Sequence, residues 1–216
     1  MNTIPNIAVF ASGNGSNFRC IHRGILDGSI HGTIGLLVSN KRECGAVGYA
    51  IEYRINYLII KSNSPTYEND LMLALTGYSP DLIVLAGYLK MIPESVIRLF
   101  QNRIINIHPA LLPAFGGKGM YGSHVHRAVL ATKQKVSGAT VHIVDEKYDH
   151  GPILAQKTVQ VFSIDTVDSL AKRVLEVEHI LYPQVVKAFC EQCFTGDDGI
   201  PKIIFDNPFQ EPHDEN

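Results

Sequence analysis

Basic charge is scarce in this sequence. Its 19 Lys and Arg residues are outnumbered by 21 Asp and Glu, leaving a formal net charge of −2 at pH 7. Without a basic excess, sequence-independent binding to nucleic acid is not expected. Cysteine is scarce too: Cys20, Cys44, Cys190 and Cys193 are the only four in 216 residues. That is too few for a disulfide scaffold, and reduced thiols in a cytoplasmic protein are expected. Long apolar runs are missing; the densest, residues 82–87, falls far short of a membrane span, so no membrane partner is expected. The opening residues, MNTIPNIAVF, have neither a positive n-region nor a long apolar stretch, which argues against a secretory signal. No internal repeat or low-complexity segment stands out. What remains is a globular composition, 45% hydrophobic and 19% charged, in a chain long enough to bury a core. One domain over residues 1–216 is expected.

Glycine and proline punctuate short periodic segments. Residues 7–10, 34–38, 57–60, 82–86 and 104–107 read as strands, several of them apolar on both faces, as strands buried in a parallel sheet must be. Helical patterns over 16–26, 46–53 and 67–75 alternate with them, and Pro93 opens a short helix. The alternation predicts a parallel sheet with right-handed crossovers. After Pro109 the pattern changes. Residues 111–123 read as a glycine-rich loop and 124–132 as a short helix. Residues 139–144 and 153–161 read as two strands whose short link predicts an antiparallel pair. Asp165 reads as the N-cap of a long helix with a stripe of Val167, Leu170, Val174, Leu181, Val185 and Phe189, which Pro183 is expected to kink or split. The tail, 207–216, is expected to fray. The fold class is α/β: a Rossmann-like, mostly parallel sheet with helices on both faces, plus a C-terminal antiparallel strand pair and a long helix.

Two places carry chemistry. Ser12-Gly13-Asn14-Gly15-Ser16-Asn17 lies between the first strand and the first helix. Glycines let the backbone approach a ligand, and the helix start offers unpaired N–H groups, so a phosphate fits; a tight turn without ligand is the plain alternative. The dinucleotide fingerprint fails, because Phe18 stands at the third glycine position and Asn40 where an acidic residue is needed. Asn106 and His108 end a buried strand, two residues apart and on one side of it, and form a plausible oxyanion clamp for acyl transfer.

Other polar features are open to plainer readings. The turn 145–152, DEKYDHGP, is either a solvated hairpin link or a carboxylate folded back onto His108. Cys190-x-x-Cys193 has no second pair at zinc spacing and reads as buried thiols. His124-x-His126 lacks an acidic partner for a metal, and Glu178-His179 reads as a solvated helical charge pair; no metal is expected.

In one order the chain carries SGNGSN at 12–17, LAGYLKMI at 85–92, NIHPALLP at 106–113, TVHIVDEKYDHGPI at 140–153 and EHILYP at 178–183. Together these segments resemble the phosphoribosylglycinamide formyltransferase family, folate-dependent enzymes of purine synthesis, over nearly the whole chain. NIHPxLLP is shared by the wider 10-formyltetrahydrofolate transferases, whereas SGNGSN with the EHxxYP helix is narrower. The resemblance implies formyl transfer from 10-formyltetrahydrofolate, a cosubstrate, to the amine of 5′-phosphoribosylglycinamide. It implies Asn106, His108 and Asp149 as the catalytic trio, with His108 protonated beside Asp149. It implies Gly15, Ser16 and Asn17 on the substrate phosphate and Glu178 on the ribose hydroxyls. Leu89, Lys90, Met91 and Ile92 would line the folate pocket with Asn106, and the 140–145 backbone would read the pterin edge. A nucleotide-phosphate half over about 1–105 and a catalytic and folate half over about 106–206 follow, in a monomer or homodimer acting on small molecules.

Two departures stand out. Ser64-Pro65 lies where the family often has an arginine for the folate glutamate tail, and the loop 114–123 is longer than in the shortest members, with Lys118 and Tyr121 available to close over substrate. A formyltetrahydrofolate hydrolase, a methionyl-tRNA formyltransferase and a catalytically silent nucleotide-binding module are the competing readings. The first two usually carry an extra domain.

Overall fold

The computed structural model describes residues 4–191. Cys193, the tail 207–216 and the end of the expected C-terminal half lie outside them. Strands β1 (Asn6–Phe10), β2 (Thr33–Ser39), β3 (Tyr57–Ile59), β4 (Leu82–Leu85), β5 (Ile104–His108), β6 (Val136–Ile143) and β7 (Ile153–Gln160) form one sheet in the order β3-β2-β1-β4-β5-β6-β7. The first five are mutually parallel, and β6 and β7 run antiparallel to their neighbours. Between them lie α1 (Ser16–Leu26), α2 (Gly45–Glu52), α3 (Tyr67–Tyr78), α4 (Glu94–Leu99) and α5 (Ser123–Ala131); α6 (Val167–Cys190) closes the described chain.

Period-two alternation sorts the core into two layers. Ile7, Val9, Leu82, Val84, Ile105 and Ile107 pack on the face covered by α1, α2 and α6. Ala8, Phe10, Ile83, Leu85 and Ile104 pack on the face of α3 and α4. Both layers exclude water, which is why the central strands read as unbroken apolar runs.

The strand order reverses at β1. Chain growth moves one way through β2 and β3, then returns to place β4 on the other side of β1. In open α/β sheets the crevice beyond the carboxyl ends of strands at such a reversal receives ligands. Here Ser12 N–H donates to Gly87 O at 3.1 Å, tying together the loops that leave β1 and β4.

The long helix differs from expectation in two ways. Thr166, not Asp165, is its N-cap: the Thr166 side chain accepts from Ser169 N–H and the Ser169 side chain accepts from Thr166 N–H. Such caps are worth about 1 kcal/mol. Asp165 instead holds Arg173 through two contacts of 2.8 Å, and Arg173 keeps its carboxyl far below the usual carboxylate range. Pro183 does not split the helix, which runs on to Cys190. Its apolar stripe is buried on both sides of the proline, at Leu170, Val174, Leu181 and Val185, so packing holds the helix across the missing N–H. Fully buried Tyr182 anchors it further. Its hydroxyl shares its proton between Leu85 O and Ile105 O, each at 3.0 Å, pinning α6 over the ends of β4 and β5.

Candidate active site

A cavity of about 440 Å³ opens at the carboxyl ends of β4 and β5. Its floor is set by strand register. Asn106 lies opposite His142, and His108 opposite Thr140, in the antiparallel pairing of β5 with β6. Directly opposed residues share one face of a sheet, so four polar side chains from two apolar strands meet there. Thr140 is structural. Its hydroxyl donates to Ala110 O at 2.6 Å and accepts from Leu112 N–H at 3.0 Å, fixing the turn after β5. His142 points at the chemistry. Its Nδ1–H donates to Ile143 O at 2.8 Å, which leaves Nε2 as an acceptor for Asn106 Nδ2–H at 3.1 Å. One N–H of the Asn106 amide is thereby committed and the other is left for a ligand.

Asp149 comes from the β6–β7 turn and settles the two readings of that turn. It folds back so that Oδ2 is 3.5 Å from His108 Nδ1 and Oδ1 is 3.6 Å from His142 Nε2. Its φ of 53° lies in the left-handed region, which Asp adopts more readily than most residues. Asp145, from the same turn, also lines the cavity, and its carboxylate is held by His150 Nδ1 at 2.8 Å and Lys147 N–H at 2.9 Å. Burial works against ionisation of Asp149, but the His142 and His108 rings, when protonated, and the N–H of Gly117 at 2.9 Å outweigh it, and the carboxyl sits below its ordinary pKa.

His108 departs from expectation. Its pKa is lowered, not raised: burial disfavours the imidazolium more than Asp149 and the Phe115 carbonyl favour it, and His142 adds to the lowering. At neutral pH the resting ring is uncharged. Its Nε2–H donates to Phe115 O at 2.8 Å, so Nδ1 faces Asp149 with a lone pair and is open to a proton. The 114–123 loop thus reaches the site through the Phe115 carbonyl and the Gly117 amide. Of the two side chains expected to close over substrate, Tyr121 lines the cavity and exposed Lys118 does not.

The remaining expected residues divide. Leu89, Lys90, Met91 and Ile92 all line the cavity, Leu89 and Met91 exposed and Ile92 buried. Asn17 and Glu178 line it from the opposite side. Gly15 and Ser16 stand just outside its lining, at the start of α1. Glu178 is not a solvated helical charge. It is 8% exposed, one helical turn before Tyr182, and accepts from Asn17 Nδ2–H at 2.6 Å. Burial pushes its carboxyl up to about 7 against the opposing pull of Asn17. One N–H of the Asn17 amide is therefore committed to Glu178, and its Oδ1 is buried with no partner. His126 is buried beside the cavity, and exposed His124 stacks edge-on with Tyr121 at 5.3 Å, so the two do not form half a metal site. Among the described residues no group of three or more His, Cys, Asp or Glu is placed to hold a metal ion. Ser64 bonds Thr66 at 2.9 Å and takes no part in the cavity lining.

Sequence reading missed His142. A signal was present: Thr140 and His142 are polar residues two apart on an apolar strand, matching the Asn106 and His108 pattern on its neighbour.

Comparison with known proteins matches residues 5–186 to the family described as formyl transferase. The chloroplastic phosphoribosylglycinamide formyltransferase of Arabidopsis thaliana is 49% identical over 203 residues, covering 91% of this chain and 70% of that one. Against the chloroplastic enzyme of Vigna unguiculata this chain covers 65% of the relative's length. The phosphoribosylglycinamide formyltransferase of Bacillus subtilis is 36% identical, covering 85% of this chain and 94% of that one. Among solved structures, glycinamide ribonucleotide transformylase 1 from Symbiobacterium toebii superposes with a TM-score of 0.85 at 33% identity, covering 94% and 95% of the two chains. No helix among the described residues is long and apolar enough to cross a membrane.

Proposed function

The chain belongs to the formyl transferase family and is an enzyme of that family, and on that footing we propose that it transfers the formyl group of 10-formyltetrahydrofolate to the amine of 5′-phosphoribosylglycinamide, a step of purine synthesis. The observation that carries this reading is the convergence of Asn106, His108, His142 and Asp149 at one end of the cavity, with Asn17 and Glu178 on its other side.

The amine nitrogen attacks the formyl carbon, and the carbonyl oxygen becomes an oxyanion. The uncommitted N–H of Asn106 is the donor available to it, and His142 fixes its direction. The attacking nitrogen must lose a proton. His108 Nδ1, a lone pair beside a carboxylate, accepts it directly or through a water, and the Asp149 charge stabilises the imidazolium formed. As the carbon–nitrogen bond to the folate breaks, that proton goes to the departing folate nitrogen, so atoms and charge balance. With Nε2–H held by Phe115 O, His108 donates to the oxyanion only if that carbonyl gives way. Its role here is proton uptake at Nδ1. Leu89, Met91 and Ile92 offer apolar walls for a flat heterocycle, and Asn106 lines the same cavity. Gly15 and Ser16 present backbone to the phosphate, and Glu178, when ionised, accepts from the ribose hydroxyls.

Incubation with 10-formyltetrahydrofolate, with and without phosphoribosylglycinamide, tests the reading. Absorbance should report tetrahydrofolate formation only when the amine is present. Equal turnover without the amine, with release of formate, would identify a hydrolase; no turnover in either case would favour a silent binding module.

A further inference from the structure

The loop between β1 and α1 is held in its orientation from outside. Gly13 O accepts from Ala46 N–H at 3.1 Å. Arg19, on the first turn of α1, reaches back: its Nε–H donates to Asn14 O at 3.3 Å and its Nη2–H to Gly45 O at 3.1 Å. Its guanidinium lies 4.7 Å from the centre of the Tyr49 ring, and Tyr49 is buried and bonded to His22 at 3.0 Å. Arg19 therefore bridges the loop and the start of α2 and rests on a fixed platform.

The peptides after Gly13 and Asn14 are trans, so each N–H points opposite its carbonyl. Both carbonyls are held toward the α2 side. The N–H groups of Asn14 and Gly15 must then face away from α2, and among the described residues neither has a hydrogen-bond partner. The first N–H groups of α1 are free for the general reason that a helix start has no earlier carbonyls to use.

We propose that Arg19 is a positioning residue for the substrate phosphate: its two-carbonyl brace sets the peptide orientation that presents the loop N–H groups to the anion, and its charge adds to their pull. The inference rests on the assignment of this loop to the phosphate. The fork is what suits Arg to this position, because its planar donors reach two carbonyls on separate segments, whereas the ammonium of Lys is a point charge.

The test compares 5′-phosphoribosylglycinamide with its phosphate-free riboside as amine substrates for wild type, Arg19→Met and Arg19→Lys. The ratio of their kcat/KM values measures phosphate recognition. In the wild type the nucleotide should be strongly preferred. Arg19→Met, which keeps a stem against Tyr49, should lower that preference about tenfold or more, through the nucleotide KM, with the riboside and folate KM values little changed. Arg19→Lys should recover only part of the loss. An undiminished preference in Arg19→Met, or full recovery in Arg19→Lys, would overturn the brace while leaving the loop assignment standing. A wild type that does not distinguish nucleotide from riboside would overturn the loop assignment, and the brace with it. The folate KM and thermal melting of each variant separate these outcomes from misfolding.

Discussion

Asn106 Nδ2 and His142 Nε2 lie 3.1 Å apart, and the direction of that bond follows from the other side of the ring, where Nδ1–H is held by Ile143 O. A donor for an oxyanion must point to one place before the charge develops. His142 supplies that direction. His142→Ala should leave Asn106 free to turn, and kcat should fall about 10–100-fold with both KM values nearly kept, the size of effect a small misplacement produces. His142→Gln, which retains an acceptor, should recover part of the rate. Steady-state kinetics checks both; a His142→Ala enzyme with wild-type kcat would remove His142 from the account.

Glu178 gives a pH signature. Its folded pKa, about 7, lies above the ordinary 4.5 because of burial, so the folded state binds a proton that the unfolded state releases. This group's contribution to stability is full below about pH 4.5 and is lost as pH rises through about 7. Glu178→Gln removes the buried charge and should melt higher than wild type at about pH 8.5, by several degrees, and by much less at about pH 5. Scanning calorimetry at the two values decides it. The same variant should bind the nucleotide more weakly at high pH, where it lacks the anionic acceptor.

Gly15 sits at φ 70° as the N-cap of α1, and a Cβ there would stand 2.8 Å from Ala46 Cβ. Gly15→Val therefore strains the backbone and pushes the loop off α2. The nucleotide KM should rise about tenfold or more while the folate KM stays within about twofold. The opposite pattern would reassign the loop.

Met91 gives the complementary case. It is 46% exposed and lines the cavity. Met91→Glu should raise the folate KM more than the nucleotide KM, because a carboxylate replaces an apolar wall. An unchanged folate KM in a folded variant would move the pterin elsewhere.

The strands and helices are readable in the sequence because their residues satisfy two demands at once. Val9 and Phe10, for example, are apolar on opposite faces, which only a strand covered on both sides requires. The loop at Gly13–Gly15 and the Asn106–His108 pair are readable because chemistry and position coincide in a few consecutive residues. His142 is readable only in part: its polar alternation with Thr140 stands in the sequence, but its pairing with Asn106 exists only in the β5–β6 register. The charge state of His108 escapes sequence reading for a related reason. A neighbouring carboxylate is foreseeable from the family resemblance, but the extent of burial that outweighs it is a property of the whole packed core. Asp165 looks like the cap because Asp is the commoner capping residue. Thr166 prevails because Ser169 closes the reciprocal pair and Arg173 claims the carboxylate.

In the proposed mechanism formyl transfer runs through the buried Asp149 and its neighbour His108. The most direct measurement is kcat for Asp149→Asn beside Asp145→Asn, at saturating folate and amine. Asparagine at 149 keeps the shape but removes the charge that stabilises the imidazolium formed when His108 takes up the amine proton, and loss of a positioned acid–base partner costs about 10²–10⁴-fold. Asp145 lines the cavity too, but its carboxylate is bonded to His150 and to Lys147 N–H and is assigned no proton to handle. Asp149→Asn should show a loss in that range and Asp145→Asn a mild one, and the His108 pKa, followed by NMR, should fall further in Asp149→Asn. Near-normal turnover in folded Asp149→Asn, or greater damage from Asp145→Asn, would contradict that mechanism.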